Sequence, residues 1–237
     1  CTFNSNAAGS YGGAVSSVDA KNCMFINNTA QNGGAMYGNG YTATNCQFIN
    51  NTARNGGATY KITANNCEFS ENTAAEYGGA MYGGTAASSN FINNNANEDG
   101  GAVYDILVAN CLFECNSAEN GGAMSRGRAV NCTFNNNNAT NYGGAVYNAK
   151  ISNDSKFYNN IALNGNATDN VTWFDPVNSK SLFDLNELIN NNTDADIYLN
   201  GNYTFDLRKD ADFKNGVVIN RAVTVHGNGF TLDGDNA

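Results

Sequence analysis

Proline is almost missing from this chain of 237 residues, with Pro176 the only copy, and tryptophan and histidine occur once each, as Trp173 and His226. Charged residues are only 14% of the chain, so solubility must rest on Asn, Ser and Thr. The few charges lean acidic: 12 Lys and Arg stand against 21 Asp and Glu, for a net charge of −9. A basic face for a phosphate backbone is therefore missing, which excludes nucleic acid as a partner. No apolar run reaches the roughly 18 residues that suggest a membrane span. The chain opens on Cys1 in the middle of a motif, and is expected to be a piece of a longer precursor.

What the chain does have is a repeat, and the repeat decides the fold. Phe recurs at Phe3, Phe25, Phe48, Phe69, Phe91, Phe113, Phe134 and Phe157, at spacings of 21 to 23 residues. Asn follows each Phe by three residues, from Asn6 and Asn28 through Asn137 and Asn160. Ala follows by five, and Gly-Gly-Ala then appears in seven copies, beginning at Gly12, Gly33, Gly56, Gly78, Gly100, Gly121 and Gly143. A unit of this length is too short for paired helices, which need about 33 residues or more. Gly and Asn also disfavour helix. The repeat fits one coil of a solenoid with three short strands and three turns. Coils stacked about 4.8 Å apart turn every repeat position into a column along the axis.

The expected fold class is therefore all-β: a parallel β-helix of about 22 residues per coil, with a short C-terminal helix plus strands. Phe forms one internal ladder. Two residues earlier, on the same strand face, stand Cys1, Cys23, Cys46, Cys67, Ser89, Cys111, Cys132 and Ser155. This reads as a second internal column that wants a small side chain, with free thiols acting as small apolar residues. Neighbours at coil spacing are too far apart at Cβ for the roughly 3.8 Å of a disulfide. Cys115 lies off the column near a turn and is expected to be exposed. The Asn column after Phe is expected at a turn, its amides bonded from coil to coil. Gly-Gly is expected to supply a turn with positive φ.

Eight coils should occupy residues 1–163. Residues 164–180 read as a connector in which Trp173 and Phe174 cover the last coil. Residues 181–237 read as an amphipathic capping helix and the first strands of a further β-helix. Leu182, Leu185 and Ile189 share one helical face, and Ser181 with Asp184 suits an N-cap. Strands are expected at 197–199, 203–205, 217–219, 223–225 and 230–232, with turns at Asn200-Gly201 and Gly227-Asn228-Gly229.

Gly-Gly-Ala-aliphatic together with Phe-x-x-Asn resembles the repeats of chlamydial polymorphic membrane proteins. With Cys two before Phe and the Asn-rich filler, the chain also resembles adhesin-like proteins of methanogenic archaea. The resemblance covers residues 1–165 and implies a right-handed β-helix, extracellular display on the cell surface and adhesion. It carries over no catalytic residue.

Candidate chemistry is sparse, and the chain is expected not to be an enzyme. The alternative is a polysaccharide-binding or polysaccharide-active β-helix protein. Tyr37, Tyr60, Tyr82, Tyr104 and Tyr147 each follow Gly-Gly-Ala by one residue. Pointing outward, they would form a stripe able to contact the sugar rings of cell-surface glycans; pointing inward, they are core. Glu76, Glu98, Asp99 and Glu119 share one loop of successive coils and could gather Ca²⁺, although acidic loop tips that merely keep the edge soluble explain them better. No other cofactor is expected. The Ca²⁺-binding nonapeptide of other β-rolls is absent, and Asp233-Gly234-Asp235 is similar to a calcium loop but too short to decide. His226 reads as a solvated or packing residue, while Arg126 and Arg128, which flank Gly127 and could touch a carboxylate, read better as a solvated edge. Sequons at Asn27, Asn50, Asn131, Asn138, Asn153, Asn166, Asn170, Asn191 and Asn202 are glycosylation candidates. The expected partner is a second copy, head to tail, with residues 217–232 against residues 1–15 of the next unit.

Overall fold

The computed structural model describes residues 1–174, 179–180, 182–190, 196–199, 202–204, 217–219, 222–226 and 232–233. Two compact units divide the chain, Cys1–Phe174 and Asp175–Ala237.

The first unit is a parallel β-solenoid of about eight turns. Its phenylalanine face is an eight-stranded sheet running from Thr2–Asn4 to Lys156–Tyr158. Every pairing is parallel and sets Phe opposite Phe. The ring centroids lie 4.7 to 4.9 Å apart and the planes within 4 to 9° of parallel. Stacking follows from identity: equal side chains in equal rotamers, moved by one strand spacing, meet face to face. Phe25 through Phe134 are fully buried, each contributing about 1.5–3 kcal/mol by burial alone.

A six-stranded sheet from Thr52–Asn55 to Ile161–Ala162 forms the alanine face. Ala74, Ala96 and Ala118 make a small apolar cluster of their own there. The third, tyrosine face carries longer strands than the sequence suggests, such as Thr59–Asn65, Met81–Ala87, Val103–Ala109 and Met124–Val130. Each bends at a left-handed residue: Lys61, Gly83, Asp105 and Arg126 have φ of 54 to 62°.

The Asn column after Phe is more than a turn marker. Asn28, Asn51, Asn72, Asn94, Asn116 and Asn137 are fully buried. The Oδ1 of Asn72 accepts from both the backbone N–H and the Nδ2 of Asn51, at 2.9 and 3.0 Å. Its Nδ2 donates to Asn94 Oδ1 and to the Phe48 carbonyl, both at 2.9 Å. The same pattern repeats coil after coil. An amide suits this place because it alone both accepts along the axis and donates along it and sideways.

The turns divide the labour. The first Gly of Gly-Gly-Ala has φ of 54 to 68° in all seven copies, as expected. The second glycine is fixed by crowding. A Cβ on Gly79 would lie 2.0 Å from the Gly101 carbonyl oxygen and 2.5 Å from that of Asn95.

Residues expected as a connector partly continue the solenoid. Thr168–Asp169 pairs with Val146–Tyr147, and Thr172–Phe174 pairs with Lys150–Ser152. The Gly-Gly-Ala signature has gone, but Ala167 still accepts from Ala145, and Asn170 keeps the left-handed turn of Asn148, with φ of 50 and 53°. Trp173 packs edge-on against Phe157, the last ring of the ladder, at 5.8 Å.

In the second unit a helix, Leu182–Asn190, buries Leu182, Leu185 and Ile189. Ser179–Lys180 pairs in parallel with Asn202–Tyr203, Tyr203–Thr204 with Leu232–Asp233, and Asp196–Tyr198 with Thr224–His226. Residues 217–219, expected as a strand, form none. The Val218 carbonyl accepts from Asn190 Nδ2 at 3.0 Å. Ser181, Asn200-Gly201, Phe205, Gly227-Asn228-Gly229, Phe230 and Gly234-Asp235 lie outside the described residues.

Candidate functional site

On the tyrosine face Met36, Thr59, Met81, Val103, Met124 and Val146 are buried, and strand alternation turns the following residue outward. Tyr37, Tyr60, Tyr82 and Tyr104 therefore stand outside the core in a continuous ladder. Successive centroids lie 5.4, 4.8 and 5.3 Å apart, with planes 3 to 27° from parallel. Tyr11 extends one end, 4.4 Å from Tyr37. Tyr77 leans on Tyr104 at 4.7 Å, and the Arg126 guanidinium lies 5.3 Å from the same ring. Ser125 pairs with both Tyr104 and Tyr147, which interrupts the ladder. Tyr147 stacks with Tyr142 at 6.2 Å.

This geometry bears on sugar contact. Rings stacked along the axis turn their faces to one another and present edges and hydroxyls to solvent. Sugar rings stack on aromatic faces, and here those faces are occupied. Tyr104, only 7% exposed, is enclosed by Tyr82, Tyr77 and Arg126. The outward phase is thus one of the two alternatives left open by the sequence, but the stripe is a self-stacked ladder.

Stacking also disfavours ionisation. Burial raises the pKa of Tyr60, Tyr82 and Tyr104. For Tyr77 the hydrogen bond to Glu98 is the larger cause, burial the second, and together they push it up to about 12. A tyrosine whose folded pKa is raised contributes stability that is full below the unfolded value of about 10 and is lost as pH rises through the folded value. Tyrosinate absorbance should therefore show a late wave reaching about pH 12, and Tyr77→Phe should remove its latest part. A single wave with the ordinary tyrosine midpoint would contradict the ladder.

The four loop acids do not converge. Glu76 pairs with Arg54 at 2.7 Å, and Asp99 Oδ1 accepts from Asn120 Nδ2 at 2.9 Å. Glu119 is exposed, and its backbone N–H donates to the Glu98 carbonyl. Among the described residues no group of three His, Cys, Asp or Glu side chains is placed to hold a metal ion. Arg128 is not a solvated edge: it is buried, with its guanidinium 4.1 Å from the Phe174 ring. His226 stacks on Tyr198 at 4.4 Å, and its Nε2 lies 2.9 Å from Asp196 Oδ1. Of the sequons, Asn27, Asn50, Asn131, Asn138, Asn153, Asn166 and Asn170 are exposed. Asn202 begins the strand Asn202–Thr204, and Asn191 lies outside the described residues. Asn50, Asn131 and Asn170 spend their Nδ2 on the Asn of the preceding coil.

The cysteine column differs from the small apolar column expected. All seven cysteines are free, and Cys46, Cys67, Cys111 and Cys132 are buried. Each thiol from Cys23 onward donates to the carbonyl two residues earlier, at 3.2 to 3.3 Å. Sulfur also accepts: Cys46 N–H points at Cys67 Sγ, 3.5 Å away. Ser89 does both jobs, accepting from Cys67 N–H at 3.0 Å and donating to Ala87 at 2.8 Å. The column wants a small side chain that both donates and accepts, which is why Ser replaces Cys there. In the pair Cys46–Cys67, the hydrogen bond from Cys67 eases ionisation of Cys46, and the same bond with burial holds Cys67 protonated. Burial, aided by Cys111, pushes Cys132 up. Cys115 is exposed and left-handed, with φ of 55°.

Two stretches, residues 45–61 and 131–149, match the family model for the Chlamydia polymorphic membrane protein repeat. Comparison with curated proteins and with solved structures gives no match. Both stretches hold the same parts: a ladder Phe, Phe48 or Phe134; a buried Asn, Asn51 or Asn137; and the Gly-Gly-Ala turn. The chain is a repeat protein, a parallel β-solenoid with coils that match the polymorphic membrane protein repeat.

Proposed function

We propose that this chain is a non-enzymatic, extracellular module of a cell-surface protein, a right-handed rod that holds an adhesive or scaffolding part away from the cell. The observation that supports this most is the unbroken identity of the buried Phe and Asn columns from coil to coil. Such columns repay length: each added coil stacks on the last with the same contacts, as in other quasi-one-dimensional folds. The match to a repeat of a membrane-protein family points the same way. No helix among the described residues is long and apolar enough to cross a membrane. Head-to-tail extension, with residues 217–232 against residues 1–15 of the next unit, belongs to the same proposal.

Mild protease treatment of intact native cells tests it. Peptides of this chain, Asn97 and Asn138 loops included, should appear in the shaved fraction while cytoplasmic markers stay behind. Recovery of the chain only after lysis would overturn the surface assignment. For the assembly, the purified chain at high concentration should give rods longer than one unit in electron micrographs. Monomers alone would rule that part out.

A further inference from the structure

Cys23, Cys46 and Cys67 line a surface groove together with Asn45, Asn66 and Glu68. Their thiols all point at the carbonyl two residues earlier, at 3.2 to 3.3 Å, so they share one rotamer. Side chains that share a rotamer repeat with the coil spacing, which the neighbouring Phe rings measure as 4.7 to 4.9 Å. Sulfur atoms so spaced are too far apart for a disulfide, whose S–S bond is about 2.05 Å. A tetrahedral metal with bonds of about 2.3 Å needs its sulfurs about 3.8 Å apart. A linear S–metal–S unit is the longest bridge one ion can make between two thiolates, at most about 4.6 Å with such bonds, and so the one that comes nearest to the column's own repeat.

We propose that Cys46 and Cys67 form a two-coordinate site for a soft monovalent cation of the Cu(I) class. Thiolate is the ligand such ions select. Binding converts two thiols and one cation into a bis-thiolate complex of charge −1 and releases two protons; nothing is oxidised or reduced. The Cys46 N–H, already aimed at Cys67 Sγ at 3.5 Å, then supports a sulfur that carries negative charge, as outer-shell donors do at metal sites. Cys46 and Cys67 are only 1% and 4% exposed, and the groove they line is the ion's way in. Neither the protein's display role nor its repeat family enters this argument.

Cu(I) itself is the probe, added without oxygen to the folded chain in competition with bicinchoninate. Cys1→Ser and Cys115→Ser first remove the two exposed thiols. The parent should withhold Cu(I) from the competitor with its circular dichroism unchanged, and X-ray absorption should show two sulfur neighbours. Adding Cys46→Ser and Cys67→Ser should lower the retained Cu(I) by one equivalent per chain. Serine already stands in this column at Ser89 and Ser155, so the variant keeps the column's hydrogen bonds, and an unchanged β-sheet spectrum confirms its fold. No retention by the parent, equal retention by the variant, or uptake only as the β-sheet signal disappears would each overturn the proposal.

Discussion

Gly79→Ala should destabilise the solenoid by more than about 4 kcal/mol, a loss reserved for severe packing faults. Gly40→Ala should cost about 1–2 kcal/mol, the ordinary strain of a left-handed residue. Both changes add one methyl group to a glycine, so the contrast isolates the surroundings. At Gly79 the new Cβ would meet the Gly101 oxygen at 2.0 Å, the Asn95 oxygen at 2.5 Å and the Asn95 carbonyl carbon at 2.7 Å. All three are backbone atoms, and they sit in ladders that hold adjacent coils together. No rotamer change relieves them; the coils must separate. Gly40 has φ of 85° and nothing within 4 Å of its would-be Cβ. Thermal unfolding followed by far-ultraviolet circular dichroism measures both. A Gly79→Ala midpoint equal to that of Gly40→Ala would mean that the coils do not approach as closely as described.

Asn72→Ala should cost about 3–5 kcal/mol, from two or three buried polar groups left unsatisfied at about 1–3 kcal/mol each. The lost amide strands the Asn51 N–H below it and the Phe48 carbonyl beside it, and leaves Asn51 Nδ2 with the Phe25 carbonyl alone. Asn72→Asp should fare no better, because a carboxylate cannot donate to Asn94 Oδ1 or to Phe48, and a buried unpaired charge adds its own penalty. The exposed Asn97 is the control: Asn97→Ala should stay within about 0.5 kcal/mol of the parent, as surface changes do. Chemical denaturation of the three variants decides the matter. If Asn72→Ala matches Asn97→Ala, the buried ladder contributes nothing to stability.

The solenoid could be read from the sequence because its columns are made of residues that repeat by kind. Phe, Asn and Gly-Gly-Ala recur at nearly fixed spacing, and a parallel stack is the arrangement that brings like residues together. What remained hidden has physical reasons. Alternation in a strand fixes that Tyr82 and Met81 face opposite ways, but not which one faces in; the packing of whole coils decides that. Self-stacking of the tyrosines follows only once their rotamers are known. Cys and Ser in one column suggest small size as readily as a shared hydrogen-bonding role, and the role shows only in the bonds of Cys67 and Ser89. The coil over residues 167–174 escaped because its turn is kept by backbone shape while the glycines are lost. For the acids, loop position could be predicted but not partners, and Arg54 and Asn120 occupy two of the four.

The direction of the hydrogen bonds gives the solenoid a mechanical signature. Strand pairs are stacked along the axis, so the bonds between coils point along it. A pull on the two ends loads these bonds in tension, a few at a time, and peels the rod from an end instead of shearing a whole sheet at once. Every coil that comes away releases its 21 to 23 residues, roughly 70 Å of extended chain. Under force the protein would lengthen in even steps at nearly constant load, a shock absorber whose unit of travel is the repeat itself.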